Sequence, residues 1–390
     1  MPDELRALSR VAFEEVRGGP GGIGQIHGAI ANRAFRRPGV ARTVHDAISR
    51  AVYTGVGGAF GLAGRAVDGA LSRRGAGEER TLSTKPAGAA VIAVLNGLRG
   101  DVLEQQGSEL AEPVSVRVKG AVVPPSEITA AFPEATGWPV VFVHGLFETE
   151  FAWGFGGRES YGARLARDLG CTPVFVRYNT GRHISENGRS LADLLEAVVG
   201  AWPVEVEKLA LIGHSMGGLV ARSACHGAAE RGDEWVQNVR HIVSLGSPNT
   251  GAPLEQAVHV LSAGLAALPE TKPFAGFLRR RSSGIRDMRR GSLVDEDWRD
   301  RDPDALRAAA CREVPLLENA THCFVAATVT RSKAHPVGRM IGDWLVLEPS
   351  ASYKTEHAMH VGGVHHLALL NHPDVYACLR ERLATDPPGA

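Results

Sequence analysis

Five residues constrain the fold of this chain more than any others: Gly213-His214-Ser215-Met216-Gly217, with Gly218 directly behind them. The apolar run 209–212 leads straight into this segment, and the stretch from Leu219 onward reads as helix. A serine between a strand and a helix sits on a very tight turn, and glycines two residues to either side are required because a side chain there would collide with neighbouring backbone. Such a turn thrusts Ser215 Oγ into a cleft, at the positive end of the following helix. It also aims the Met216 N–H at any oxyanion that forms beside the serine. With 46 glycines in the chain the pentapeptide alone could arise by chance; the strand before it and the helix after it make it informative.

The sheet that such a turn needs is legible from residue 114 onward, where short β-branched runs alternate with helical spacing. Strands are expected over 114–118, 139–143, 173–178, 208–212, 241–245 and 323–330, and helices over 161–169, 190–199, 219–229 and 373–383. This alternation predicts an α/β domain over 114–390 built on a mostly parallel, doubly wound sheet covered on both faces. The interval 251–318 is too long for one crossover. It predicts a helical cap, or lid, over about 252–320 at the sheet edge where chemistry takes place. Within it a basic run, 279–290, has six arginines and an acidic run follows over 295–304; both read as a solvated helix surface with local ion pairs.

Residues 1–113 differ in character and read as an N-terminal helical extension. Glycines crowd 18–24 and 55–64, and the spacing of Val44, Ile48, Val52, Val67 and Leu71 suggests helices interrupted by glycine. Neither glycine-rich piece follows a strand or fits a phosphate loop. Gly57 and Gly61 stand four apart and permit close helix contact, expected against the catalytic domain, with a membrane surface as the other use. Residues 75–88 read as a linker or exposed turn.

A serine hydroxyl needs a base, and the base needs an orienting carboxylate. Behind a Gly-x-Ser-x-Gly turn these follow in the order acid, then histidine. Asp343 is the only acid between Val325 and Leu347 and is the acid candidate. Further on, Gly362-Gly363-Val364 delivers His365 and His366, one of which is the expected base. Four histidines in this stretch (His357, His360, His365, His366) also suggest a metal, but no paired spacing on a helix supports one, so neither a metal nor a cofactor is expected. Upstream, the apolar strand 140–143 delivers His144-Gly145-Leu146, and the Leu146 N–H is the candidate second oxyanion donor. Aromatic residues follow closely, among them Phe147 and Trp153, candidates for an apolar acyl pocket with plain packing as the alternative.

Composition removes several classes. The chain of 390 residues carries 43 basic and 43 acidic side chains, so no overall field draws it to nucleic acid. No stretch reaches the roughly 20 apolar residues of a transmembrane helix. Residues 1–17 lack a signal peptide pattern, which makes the cytoplasm the expected compartment. Five scattered cysteines without a Cys-x-x-Cys pair read as buried free thiols.

Together the Gly-His-Ser-Met-Gly-Gly elbow, the His-Gly-Leu loop, Gly246-Ser247-Pro248-Asn249-Thr250-Gly251, Gly342-Asp343 and His366-Leu367 before Leu369-Leu370 resemble the bacterial lipase and esterase group of the α/β-hydrolase superfamily. The resemblance covers about residues 137–385. It implies a Ser215–His366–Asp343 triad, because in that pattern the catalytic histidine directly precedes the apolar residue of the closing segment, and it implies hydrolysis of acyl esters or lipids through an acyl-enzyme. Acyl transfer by the same triad and a non-catalytic binding module are the rival expectations.

Overall fold

A computed structural model of the chain describes residues 82–251, 281–302, 310–332, 343, 346–352 and 358–385. The strands are β1 (Ser115–Val118), β2 (Ala121–Val123), β3 (Pro139–Val143), β4 (Thr172–Arg177), β5 (Leu209–His214), β6 (Val239–Leu245), β7 (Thr321–Thr328) and β8 (Ala358–Gly362). They form one sheet in the order β2-β1-β4-β3-β5-β6-β7-β8. From β4 to β8 every neighbouring pair is parallel, and β1 runs antiparallel to both β2 and β4. After β3 the chain moves out to β4 and then returns to the other side of β3 as β5. Strand order reverses there, and the cleft at the carboxyl ends of strands flanking such a reversal is where doubly wound sheets bind ligands.

The helices are α1 (Pro86–Gln105), α2 (Tyr161–Leu169), α3 (Ile184–Gly200), α4 (Met216–Arg231), α5 (Ser283–Met288), α6 (Glu348–Ser352) and α7 (Pro373–Leu383). Strand residues alternate between two cores, as a period of two demands when both faces are covered. Val141, Val143, Leu209, Leu211 and Ile242 pack with α3 and α4. Val140, Phe142, Ala210, Ile212, Val243 and Leu245 pack with α2 and α7 on the opposite face.

The expected α/β architecture is present, with differences at its margins. β2 and β8 were not expected. Lys119 and Gly120, with φ of 51° and 87°, make the tight turn between β1 and β2, and such left-handed turns suit the twist of a hairpin. Since β8 follows Asp343, the acid lies between β7 and β8, not beyond the last strand. α3 starts at Ile184, six residues ahead of the expected 190, because His183 and Glu186 cap it reciprocally. The linker expected over 75–88 lies outside the described residues up to 81. From 82 it is ordered instead: a short turn (Leu82–Thr84) precedes α1, with Pro86 in its first turn, where a missing N–H costs nothing. The rest of the N-terminal extension and the cap over 252–280 fall outside the described residues. The described part of the charged stretch, expected as a solvated surface with local ion pairs, instead buries Asp287 and Arg289, while Asp295 pairs with Arg299 four residues on and with Arg189 of α3. Cys171, Cys225 and Cys323 are buried, as expected; Cys311 and Cys378 are half-buried.

The segment 82–113 is bound to the sheet by a buried ion cluster. Arg177, fully buried at the end of β4, makes two 2.6 Å hydrogen bonds to Glu150 and donates to Glu112 at 2.9 Å and to the Ser83 carbonyl at 2.8 Å. α1 lies over the loop that follows β3: a Cβ at Gly97 would come within 2.1 Å of the Phe147 ring. The Gly97 carbonyl accepts from Ser282 Oγ at 2.6 Å, which ties α1 to the stretch leading into α5.

Candidate active site

The elbow has the strain that its sequence demands. Ser215 sits between β5 and α4 at φ 52° and ψ −120°, outside the regions that side chains favour. Its N–H donates to the Leu245 carbonyl at 2.8 Å, which fixes the turn against β6. The flanking glycines are required: a Cβ at Gly213 would lie 2.3 Å from Gly218 N, and one at Gly217 would lie 2.1 Å from the Val143 carbonyl oxygen. Met216 opens α4 directly, three residues earlier than expected, so its N–H is among the first-turn donors a helix leaves without an internal acceptor.

Asp343 and His366 meet. His366 Nδ1 lies 2.7 Å from Asp343 Oδ2, the Asp343 carbonyl accepts from the His366 N–H at 3.1 Å, and Asp343 Oδ1 accepts from the Val346 N–H at 2.9 Å. Both side chains are buried. Burial alone would lower the histidine pKa, but the Asp343 carboxylate outweighs it, so His366 titrates above the ordinary value of 6.5. The other ring nitrogen, Nε2, is buried and makes no hydrogen bond among the described residues. The ring packs against the end of β6: His366 Cε1 and Nδ1 are 3.0 and 3.2 Å from where a Cβ of Gly246 would stand, immediately behind the Leu245 carbonyl that holds Ser215. His365 is placed differently, edge-on to Phe155 at 6.2 Å. His360 is engaged with Thr328 Oγ1 at 2.9 Å, His357 lies outside the described residues, and no cluster of metal-ligating side chains occurs among the described residues.

The loop after β3 completes the cleft. His144 is buried, and burial holds its pKa down to about 4. The Tyr178 N–H donates to its Nε2 at 3.4 Å, which leaves the proton on Nδ1 to donate to the Gly145 carbonyl at 2.9 Å. The ring stacks on Tyr178 at 4.5 Å, and the Tyr178 hydroxyl donates to the His144 carbonyl at 2.8 Å. His144 therefore braces the turn that presents Leu146. Gly145 stands against the serine, since a Cβ there would be 2.9 Å from Ser215 Cβ. Phe147, half-buried at φ 65°, turns its ring against α1. Trp153, a candidate for an acyl pocket or for plain packing, packs in the core: it is fully buried, edge-on to Phe142 at 5.1 Å and 6.5 Å from the His214 ring.

Sequence reasoning missed three charged groups around this cleft: Glu148, Glu150 and Arg177. Their signal was two carboxylates spaced two apart within an otherwise apolar and aromatic loop, a costly arrangement unless each finds a partner. Glu150 finds Arg177, and Glu148 finds His214, whose Nδ1 lies 2.9 Å from its Oε1.

The model of the PGAP1-like alpha/beta domain matches residues 134–272, which span β3 to β6 and contain Leu146, Ser215 and Met216. Among solved structures, a Bacillus licheniformis lipase in its mature form is 20% identical, with a TM-score of 0.42, over 63% of this chain and 91% of that one. Staphylococcus hyicus lipase is 15% identical, with a TM-score of 0.39, over 64% of this chain and 95% of that one. EstA from Clostridium botulinum is 13% identical, with a TM-score of 0.37, over 64% and 87%. A comparison with curated proteins finds no match. No helix among the described residues is long and apolar enough to cross a membrane. From the sheet order, the strained elbow and the family match, the chain has the α/β-hydrolase fold, with a PGAP1-like α/β domain matched over residues 134–272.

Proposed function

We propose that the chain is a serine hydrolase of carboxylic esters, with Ser215 as nucleophile, His366 as base and Asp343 as the orienting acid. The observation that carries this reading is the 2.7 Å bond from His366 Nδ1 to a buried carboxylate, combined with a buried Nε2 that makes no hydrogen bond among the described residues and a serine on a strained strand-to-helix turn. Asp343 holds the proton on Nδ1, so the lone pair of Nε2 is free to take the Ser215 proton as Oγ attacks the acyl carbon. The amides of Leu146 and Met216 receive the oxyanion. When the tetrahedral adduct collapses, the C–O bond to the leaving alcohol breaks and His366 returns the proton to that oxygen. Water then repeats the sequence on the acyl-enzyme, releasing the acid and restoring Ser215.

An acyl ester with an apolar chain suits this mouth. Phe155 and Leu367 are exposed apolar side chains, the first touching His365 and the second following His366. Initial rates on p-nitrophenyl esters from acetate to palmitate, wild type beside Ser215→Ala, test the proposal. Hydrolysis by the wild type, lost in the variant and strongest with butyrate or longer chains, is the expected result. Equal rates in the two proteins would overturn it. The pH dependence adds an independent check: since only neutral His366 accepts a proton, kcat/KM should rise through an ionisation above 6.5, because the neighbouring carboxylate favours the charged ring. An acid limb below that value would contradict the assigned base.

A further inference from the structure

Glu148 is placed where three catalytic loops converge. It sits in the turn after β3, its side chain 10% exposed. One carboxylate oxygen, Oε2, accepts from the Gly145 N–H at 2.7 Å and lies 3.0 Å from His214 Nδ1; the other, Oε1, is 2.9 Å from the same nitrogen. Gly145 precedes Leu146, whose amide is an assigned oxyanion donor, and His214 precedes Ser215. The opposite nitrogen of His214, Nε2, lies 3.3 Å from the carbonyl oxygen of His366. The His214 ring is fully buried and stands 4.8 Å from the His366 ring. His214 thus stands between an acceptor on the loop after β3 and an acceptor on the His366 segment.

Resting on the hydrolase reading above, we infer that Glu148 is a positioning residue: through His214 it locks the oxyanion loop, the nucleophile elbow and the catalytic-histidine loop into one register. The geometry supports a role in the reaction beyond packing. The oxyanion amides act only if they already point at the place where charge develops, and an error of a few tenths of an ångström weakens them. Glu148 fixes Gly145, one residue before such an amide, by a hydrogen bond to a charged acceptor, the stronger kind. Burial alone would raise its carboxyl pKa, yet His214, the Gly145 N–H and His144 outweigh it and hold Glu148 below its ordinary range, so it stays ionised during turnover. The titratable groups that face His366 are Asp343 from the β7–β8 connection, His214 from the elbow and Glu148 from the loop after β3. The negative charge of Glu148 adds to that of Asp343 in favouring the charged ring of His366.

Glu148→Gln preserves shape and removes the charge. The expected result is a fall in kcat of roughly ten- to a hundred-fold, smaller than the loss of an oxyanion donor itself, with KM changed less than about three-fold. The acid limb of kcat/KM should move to lower pH, because His366 loses one of the two carboxylates that favour its protonation. Labelling of Ser215 by a fluorophosphonate should slow in step with kcat. A folded Glu148→Gln variant with wild-type kcat and an unmoved acid limb would overturn the inference while leaving the hydrolase reading intact. So would a variant that is unfolded at the assay temperature by circular dichroism, since the pair would then hold the fold and not the site; His214→Gln, measured alongside, should reproduce the kinetic loss in folded protein. A wild type that neither hydrolyses esters nor takes up the label would instead remove the hydrolase reading itself.

Discussion

Replacing His366 with alanine should lower kcat on p-nitrophenyl butyrate by about 10⁴–10⁶, and Asp343→Asn by about 10⁴, with folded protein recovered in both cases. The two substitutions fail for different reasons. Without His366, Ser215 has no base, and a neutral hydroxyl is a poor nucleophile. With asparagine at 343, the amide oxygen can still accept from the Val346 N–H, so the local turn survives. What is lost is the charged partner at 2.7 Å that keeps the proton on Nδ1 and stabilises the imidazolium as it forms. The neighbouring histidine is the internal control: His365 lies edge-on to Phe155, whereas His366 makes the 2.7 Å bond to Asp343, so His365→Ala should stay within about three-fold of wild type. Initial rates at pH 8 with purified variants decide the matter, and a His365 variant as impaired as the His366 variant would reverse the assignment.

The second large effect falls on stability. Arg177→Met should destabilise the fold by about 3–5 kcal/mol, because removing one member of a buried ion cluster strands its counter-charges away from water. The stranded groups are Glu150, held by two 2.6 Å bonds, and Glu112, whose remaining cation, Arg117, is 3.8 Å away. A stranded, buried carboxylate has a folded-state pKa above its unfolded value. The penalty is therefore complete at neutral and higher pH, where both states are ionised, and shrinks as pH falls through the folded pKa and the carboxyls take up protons. Thermal melts should show a loss of roughly 10 °C at pH 8 and a smaller deficit at pH 5. A melting temperature unchanged at pH 8 would mean that the cluster is hydrated and contributes little. Since Glu150 lies in the loop after β3 and Glu112 precedes β1, the same cluster joins the segment before the sheet to the loop carrying Leu146.

Some of this could be read in the residues, and the reasons differ by element. β3 was placed to the residue because 139–143 is an unbroken apolar run of the kind a doubly covered strand must have. The elbow was legible because its glycines answer a steric demand that no other residue meets, 2.3 Å and 2.1 Å from backbone atoms. β8 was missed because Ala-Met-His-Val-Gly at a sheet edge is half-exposed and satisfies its histidine through Thr328, so it shows neither a continuous apolar run nor clean alternation. β2 was missed although Lys119-Gly120 between β-branched runs is a hairpin signal; three residues with two exposed are too few for a periodicity to register. Asp343 was chosen as the sole acid of its interval, while its meeting with His366 depends on a connection of 23 positions that periodicity does not report. Trp153 was ambiguous because an aromatic side chain after a catalytic loop satisfies a pocket and a core equally. Glu148 and Glu150 were passed over because charge in a loop ordinarily means solvent; only the fold shows that both are enclosed, each with its own cation or imidazole.

An activated Ser215 should react covalently with an electrophile that a plain serine hydroxyl ignores. Incubating the wild type with a fluorophosphonate at pH 8, followed by peptide mapping, should place one phosphonyl group on the peptide containing Gly213-His214-Ser215-Met216-Gly217. His366→Ala should slow the labelling by at least a thousand-fold, because the base that activates the hydroxyl is gone. Label on another residue, or labelling at the same rate without His366, would contradict the account.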